Sequence, residues 1–133
     1  MTRNEAREIM MQIMYEMDAS KDITKETATS LIEERLSGNH INRGKAIILG
    51  VIDDMENIDE TINANSKSWK TGRMPKVDLA ILRLSVGEMN YGEDVPAPVV
   101  INEAINLAKK YSTEQSYRFI HGLLGSIAKN NEK

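Results

Sequence analysis

The sequence predicts an all-α protein of six to seven helices, arranged as two small helical bundles packed on a shared core. Three observations carry this. Apolar residues recur at i, i+3, i+4 and i+7 in one segment after another, no stretch shows the apolar–polar alternation of a half-buried strand, and the segments are separated by short runs of Gly, Pro, Ser or Asn. In the first twenty residues Ala6, Ile9, Met10, Ile13, Met14 and Met17 fall on one stripe. Thr2 with Glu5 three residues on is a capping-box pattern, so the first helix is expected to start at the extreme N-terminus. A second helix is predicted from about Thr24 to Leu36, with Ala28, Leu31, Ile32 and Leu36 inward, ending at Ser37 and a left-handed Gly38. A third, longer helix is read from about Ile41 to Ile62, its buried stripe running through Ile41, Ile47, Ile48, Val51, Met55, Ile58 and Ile62. Residues 63–75 break the pattern with small polar residues, Gly72 and Pro75. This is the best internal boundary, dividing the single domain 1–133 into an N-terminal bundle of about 1–66 and a C-terminal bundle of about 67–133. VDLAILRLSVGEMNY then reads as a helix with Val77, Ala80, Ile81, Leu84 and Met89 available for burial. After the turn GEDVPAP, Pro98 suits the first position of the next helix. Ser112 or Thr113 caps a final one in which Phe119, Ile120, Leu123, Leu124, Ile127 and Ala128 repeat at helical spacing.

Composition narrows the function classes. The 133 residues suit one domain, and no cysteine is present, which excludes disulfide scaffolds, thiolate metal sites and cysteine nucleophiles. No stretch approaches the ~20 apolar residues of a membrane span. The methionine-rich N-terminus is interrupted by Glu5, Arg7, Glu8 and Gln12, unlike a signal peptide, so a soluble cytoplasmic protein is expected. The net charge of −3 argues, taken alone, against a nucleic-acid binder. It conceals an asymmetry: residues 1–66 hold 7 basic and 13 acidic side chains, whereas residues 67–133 hold 10 basic and 7 acidic.

Chemistry finds little purchase. Asp53, Asp54, Glu56, Asp59 and Glu60 cluster, but no glycine turn wraps a cation there, and a solvated acidic helix face is the commoner reading. His40 and His121 have no ligand-spaced partner. No nucleophile elbow, P-loop or G-x-G-x-x-G occurs, so neither catalysis, metal nor cofactor is expected and the question becomes what the surface binds. Two features stand out. Arg3, Arg7 and Tyr15 fall near one line of the first helix beside its apolar stripe, a pairing of guanidinium forks with a stacking ring that suits single-stranded RNA. Arginines paired with Glu8 and Glu16, and a tyrosine at a core margin, explain the same residues without RNA. The second feature is the basic run Lys67, Lys70, Arg73, Lys76 and Arg83 with Trp69, a residue that stacks on bases or plugs a bundle end.

Four blocks carry a resemblance. AREIMMQIMY at 6–15, W-x3-R-x3-VDLAILRLSVGEM at 69–89, VPAPVVINEAINLAKKYSTEQS at 95–116 and FIHGLLGSIA at 119–128 together resemble, in order over nearly the whole chain, the bacterial NusB family of transcription antitermination factors. The resemblance implies an all-α fold of two bundles that binds the boxA element of ribosomal RNA leader transcripts together with NusE, a ribosomal small-subunit protein. It also implies a role in the RNA polymerase antitermination complex and in ribosomal RNA maturation. Matched residue by residue, it assigns RNA contacts to Arg3, Arg7, Tyr15, Arg83, Ser116 (with its neighbour Gln115) and Phe119, and a NusE-facing role to Asp78 and Glu88. Phe119 shares a helical phase with Ile120 and Leu123, so a core role stands beside a stacking one. Many family members carry a run of arginines before the first helix. This chain offers Arg3, Arg7 and its terminal amine, with Asn4 and Glu5 between, so its RNA complex is expected to lean on NusE. The alternatives are a protein-only adaptor or homodimer, and the RNA-binding domain of a ribosomal RNA methyltransferase, for which no methyl-donor domain is present in these residues.

Overall fold

A computed structural model describes residues 1–92 and 95–131. Seven α-helices account for most of them: α1 (Arg3–Ser20), α2 (Lys25–Arg35), α3 (Asn39–Asp53), α4 (Met55–Asn65), α5 (Lys76–Tyr91), α6 (Ala97–Tyr111) and α7 (Glu114–Asn131), with a short 3₁₀ turn at Thr71–Arg73. No strand occurs among the described residues.

The helix starts are set locally. Thr2 Oγ1 accepts from the Glu5 amide at 3.1 Å and Glu5 Oε1 from the Thr2 amide at 3.1 Å, so the capping box forms as its sequence implies. Thr24 Oγ1 caps α2 through the Thr27 amide at 3.2 Å. Gly38 takes φ +58°, in the left-handed region where a side chain is disfavoured, and so turns the chain from α2 into α3. Thr113 Oγ1 accepts from the Ser116 amide at the start of α7. Pro98 lies at the second position of α6, behind Pro96 as the cap and one place later than the sequence suggested. Of the turn at 92–98, residues 93 and 94 lie outside the described residues.

One element differs in kind. The single helix read over residues 41–62 is two helices, α3 and α4, that meet at Asp54. Asp54 leaves helical geometry with φ −114° and ψ 20°. Its carboxylate accepts from Tyr91 Oη at 2.9 Å and from Asn57 Nδ2 at 2.8 Å. Apolar periodicity continues across the break, because α3 and α4 both turn their stripes toward α5, and so it cannot reveal a joint whose Asp54 bonds a residue 37 positions away.

Helix α5 lies at the centre, in contact with α1, α3, α4, α6 and α7. Every residue from Asp78 to Glu88 is buried, not only one face as the spacing of its apolar residues suggests, since neighbours stand on all sides. Gly87 permits the closest approach. A Cβ there would fall 2.4 Å from Val51 Cγ2 and 3.2 Å from Ile47 Cγ2, both on α3. Buried apolar side chains from all seven helices join in one cluster. The methionines Met10, Met11, Met14 and Met17 fill its α1 side, where an unbranched, flexible side chain fits irregular gaps.

Candidate functional site

The charged residues that the sequence marks as surface groups are in large part internal. Arg7 is 4% exposed and Glu88 2%. Arg7 Nε and Nη2 donate to Glu88 Oε1 and Oε2 at 2.6 and 2.9 Å, a two-pronged pair linking α1 to α5. Arg7 Nη1 donates to Asn4 Oδ1 at 3.0 Å and lies 3.8 Å from Glu103 on α6. Arg43 of α3 reaches the same carboxylate, Nη2 donating to Glu88 Oε2 at 3.0 Å. Burial alone would pull the Arg7 guanidinium toward losing its proton, but the hydrogen bonds and charge of Glu88, with Glu103 behind, outweigh it and hold its pKa above the ordinary arginine value. For Arg43 burial wins, with Arg3 and Arg7 adding repulsion, and its pKa is lowered despite Glu88.

The proposed line of Arg3, Arg7 and Tyr15 is therefore not one surface. At ~100° per residue Tyr15 stands about 80° around the helix from Arg7 and about 12 Å further along it. Arg3 is exposed beside the start of α3, Arg7 turns inward, and Tyr15, 39% exposed, borders a shallow cleft with Thr27 and Leu31 of α2.

The α5–α7 side repeats the pattern. Asp78 has no exposed surface, and its Oδ1 accepts from Ser112 Oγ at 2.7 Å. Ser116 is buried in the first turn of α7, its hydroxyl accepting from Thr113 Oγ1 at 3.1 Å. Arg83 is buried and forks Asp59 of α4 at 2.9 and 2.7 Å, with Asp18 of α1 at 3.8 Å. Phe119 is half-buried and meets the Trp69 ring edge-on, centroids 5.3 Å apart at 63°. One side of Phe119 opens on a cleft of about 320 Å³ bordered by Asn65, Lys67, Ser68, Arg118 and Gly122. Phe119 thus serves core and surface at once, and Trp69 closes the bundle end behind it. Of the basic run, Lys67 and Arg73 are exposed, while Lys70 caps the end of α4 by donating to the carbonyls of Asn63 and Ser66.

Of the acidic run, Asp53, Glu56 and Glu60 are exposed, Asp53 pairing with Lys25 at the surface, whereas the partly buried Asp54 and Asp59 bond Tyr91 and Arg83. Among the described residues no group of three His, Asp or Glu is placed to hold a metal ion, and no helix is long and apolar enough to cross a membrane. Residues that sequence reasoning passed over include Arg43, Glu103 and Arg118. Each is a lone charge in a helical segment, and only the fold brings Arg43 and Glu103 together around Glu88 and Arg7.

Residues 4–129 match the model of the NusB family. The chain belongs to the NusB family. Among NusB relatives, the transcription antitermination protein NusB of Acetivibrio thermocellus is 43% identical over 130 residues, covering 97% of this chain and 90% of the relative. That of Finegoldia magna is 41% identical over 133 residues, covering 99% and 97%. A solved T. maritima NusB superimposes with a TM-score of 0.87 at 28% identity, over 97% of this chain and 92% of that one. A chain from the crystal structure of the antitermination factors NusB and NusE in complex with dsRNA matches with a TM-score of 0.82 over 96% of each chain; at 24% identity this is a likeness of fold. The all-α NusB architecture read from the sequence is the one observed.

Proposed function

We propose that the protein is a transcription antitermination factor that binds the boxA element of ribosomal RNA leader transcripts together with NusE. On this reading it works in the cytoplasm as part of the RNA polymerase antitermination complex and supports ribosomal RNA transcription and maturation. The observation that carries the proposal is the near full-length match to relatives named transcription antitermination protein NusB, at 43% and 41% identity.

Exposure divides the labour. Arg3, Tyr15 and the open side of Phe119 are positioned to meet RNA, with Lys67 and Arg118 beside Phe119 as phosphate-binding cations. Arg7, Arg83 and Ser116 act from below as positioning residues, fixing α1, α4 and the start of α7. Asp78 and Glu88 likewise influence NusE through the placement of α5, since a carboxylate without exposed surface does not pair with a partner's side chain.

The test is a titration of labelled boxA RNA with the protein alone and with NusE, against scrambled RNA of equal length. Sequence-dependent binding, strongest in the mixture and falling steeply with salt, is the expected result. Equal affinity for the scrambled RNA would refute the boxA reading. NusE binding without RNA would leave the protein-only adaptor.

A further inference from the structure

The chain has one tryptophan and one phenylalanine, and the fold sets them against each other. Phe119 stands on α7, whereas Trp69 belongs to the segment between α4 and the 3₁₀ turn. Their edge-on contact is the arrangement that the charge distribution of aromatic rings favours.

The segment that carries Trp69 is pinned along its length. Ser66, itself buried, donates its hydroxyl proton to the Trp69 carbonyl oxygen. Lys70 Nζ donates to the Asn63 carbonyl at 2.9 Å and to the Ser66 carbonyl at 3.1 Å. The Thr71 amide donates to Asn63 Oδ1 at 2.8 Å. Surface connections are ordinarily the mobile parts of a fold, and here four hydrogen bonds hold one in place. Lys67 and Ser68 of this segment border the cleft of about 320 Å³ beside Phe119, and Trp69 does not. One short stretch therefore brings a cation to the cleft and sets an indole against the ring that borders it.

Phe119 gains from that support. One turn further along α7 stands Gly122, which has no side chain to brace the ring and has open space where a Cβ would be. A half-exposed ring free to change rotamer loses that freedom when a base stacks on it, whereas a braced ring has already lost it. We infer that Trp69 is a positioning residue for RNA recognition: it fixes the Phe119 ring with its open side toward the cleft, so that an unstacked base docks on a surface already in place. The inference rests on the boxA reading and concerns how its α7 contact is preorganised.

The test compares labelled boxA RNA binding, with NusE present, for the parent, Trp69→Met, Trp69→Phe, Phe119→Leu and the double variant of Trp69→Met with Phe119→Leu. Methionine fills the bundle end with a flexible apolar chain, and circular dichroism with NusE affinity verifies that each variant is folded. Trp69→Met is expected to weaken RNA binding by about tenfold, the scale of one base–aromatic stack, with NusE affinity unchanged. Trp69→Phe, which restores an aromatic partner, should bind like the parent. The double variant should bind no worse than Phe119→Leu, because a brace has no effect once its ring is gone. The salt dependence of Trp69→Met should keep the parent's slope, since no phosphate contact is removed. Without RNA, aromatic ¹³C relaxation of Phe119 should show an ordered ring in the parent and a mobile one in Trp69→Met. Additive losses in the double variant, a shallower salt slope, or an equally ordered ring in both proteins would overturn the positioning role and leave the boxA reading standing. Absence of boxA binding by the parent would refute that reading, and this role with it.

Discussion

Glu88 receives guanidinium donors from two helices, and that decides what substitutions here report. Arg7→Ala removes a bidentate partner and leaves a buried carboxylate with Arg43 alone. Breaking a buried pair from one side costs about 3–5 kcal/mol, so a matching fall in stability is expected in urea unfolding. An unchanged midpoint would show that the pair does not hold α1 in place. Glu88→Lys is the harsher change, because it sets three cations against one another, and circular dichroism is expected to show largely unfolded protein. In both variants RNA and NusE binding should decline together with the folded fraction, in contrast to substitutions that strip a single contact. None of this was legible in the sequence. A charged residue next to an apolar stripe looks like a surface group, and Arg7 finds Glu88 only across 81 positions. Asp78, Arg83 and Ser116 escaped for the same reason, since burial of a polar side chain depends on a partner that local spacing does not contain. Arg3 and Tyr15, which need no partner, were read with their correct exposure.

Helices were more readable than the joints between them. Caps at Thr2 and Thr24 and the left-handed Gly38 use chemistry within four residues, so their sequence signals are sufficient. At the α3–α4 break Asp54 is held by the distant Tyr91 hydroxyl. Tyr91→Phe is expected to cost about 1 kcal/mol, the net value of one hydrogen bond, with amide exchange accelerated around residues 51–57. Exchange unchanged there would mean that Asp54 breaks the helix unaided. At the α3–α5 crossing Gly87→Ala must displace Val51 and is expected to lose about 1–3 kcal/mol. Gly122→Ala meets nothing within 4 Å and is expected to gain about 0.5–1 kcal/mol from helix propensity. Opposite signs in thermal melts check the pair. The α1–α6 contact is sensitive to acid. Hydrogen bonds from Lys110 and Tyr111 hold the Glu8 carboxyl below its ordinary pKa, against a smaller effect of burial. Its contribution is present above the ordinary carboxylate range and is lost as pH falls through the depressed value, so Glu8→Gln should flatten the decline in Tm between about pH 5 and pH 3.

Across the whole molecule, one apolar cluster is shared by all seven helices. Unfolding is therefore expected to be cooperative: Trp69 fluorescence, which reports the Phe119 end, and helical circular dichroism should give the same urea midpoint. Two separate midpoints would show that α5 does not bind its neighbours into one unit. The all-α class and six helical segments were legible because helical periodicity is local, whereas the seventh helix comes from the α3–α4 break that periodicity does not display. The full burial of α5 was not, because a helix enclosed on every side has no single face to display. Glu88 also sets an order on synthesis. When Arg7 is added to the growing chain its future partner is still 81 residues from being made, an interval of about 4–16 s at ordinary elongation rates. During that time α1, α2 and α3 expose the apolar stripes meant for α5, with Arg7 and Arg43 lacking the anion they share. The first half of the chain thus carries uncovered apolar surface until the second half arrives, and its final clasp closes from the C-terminal side.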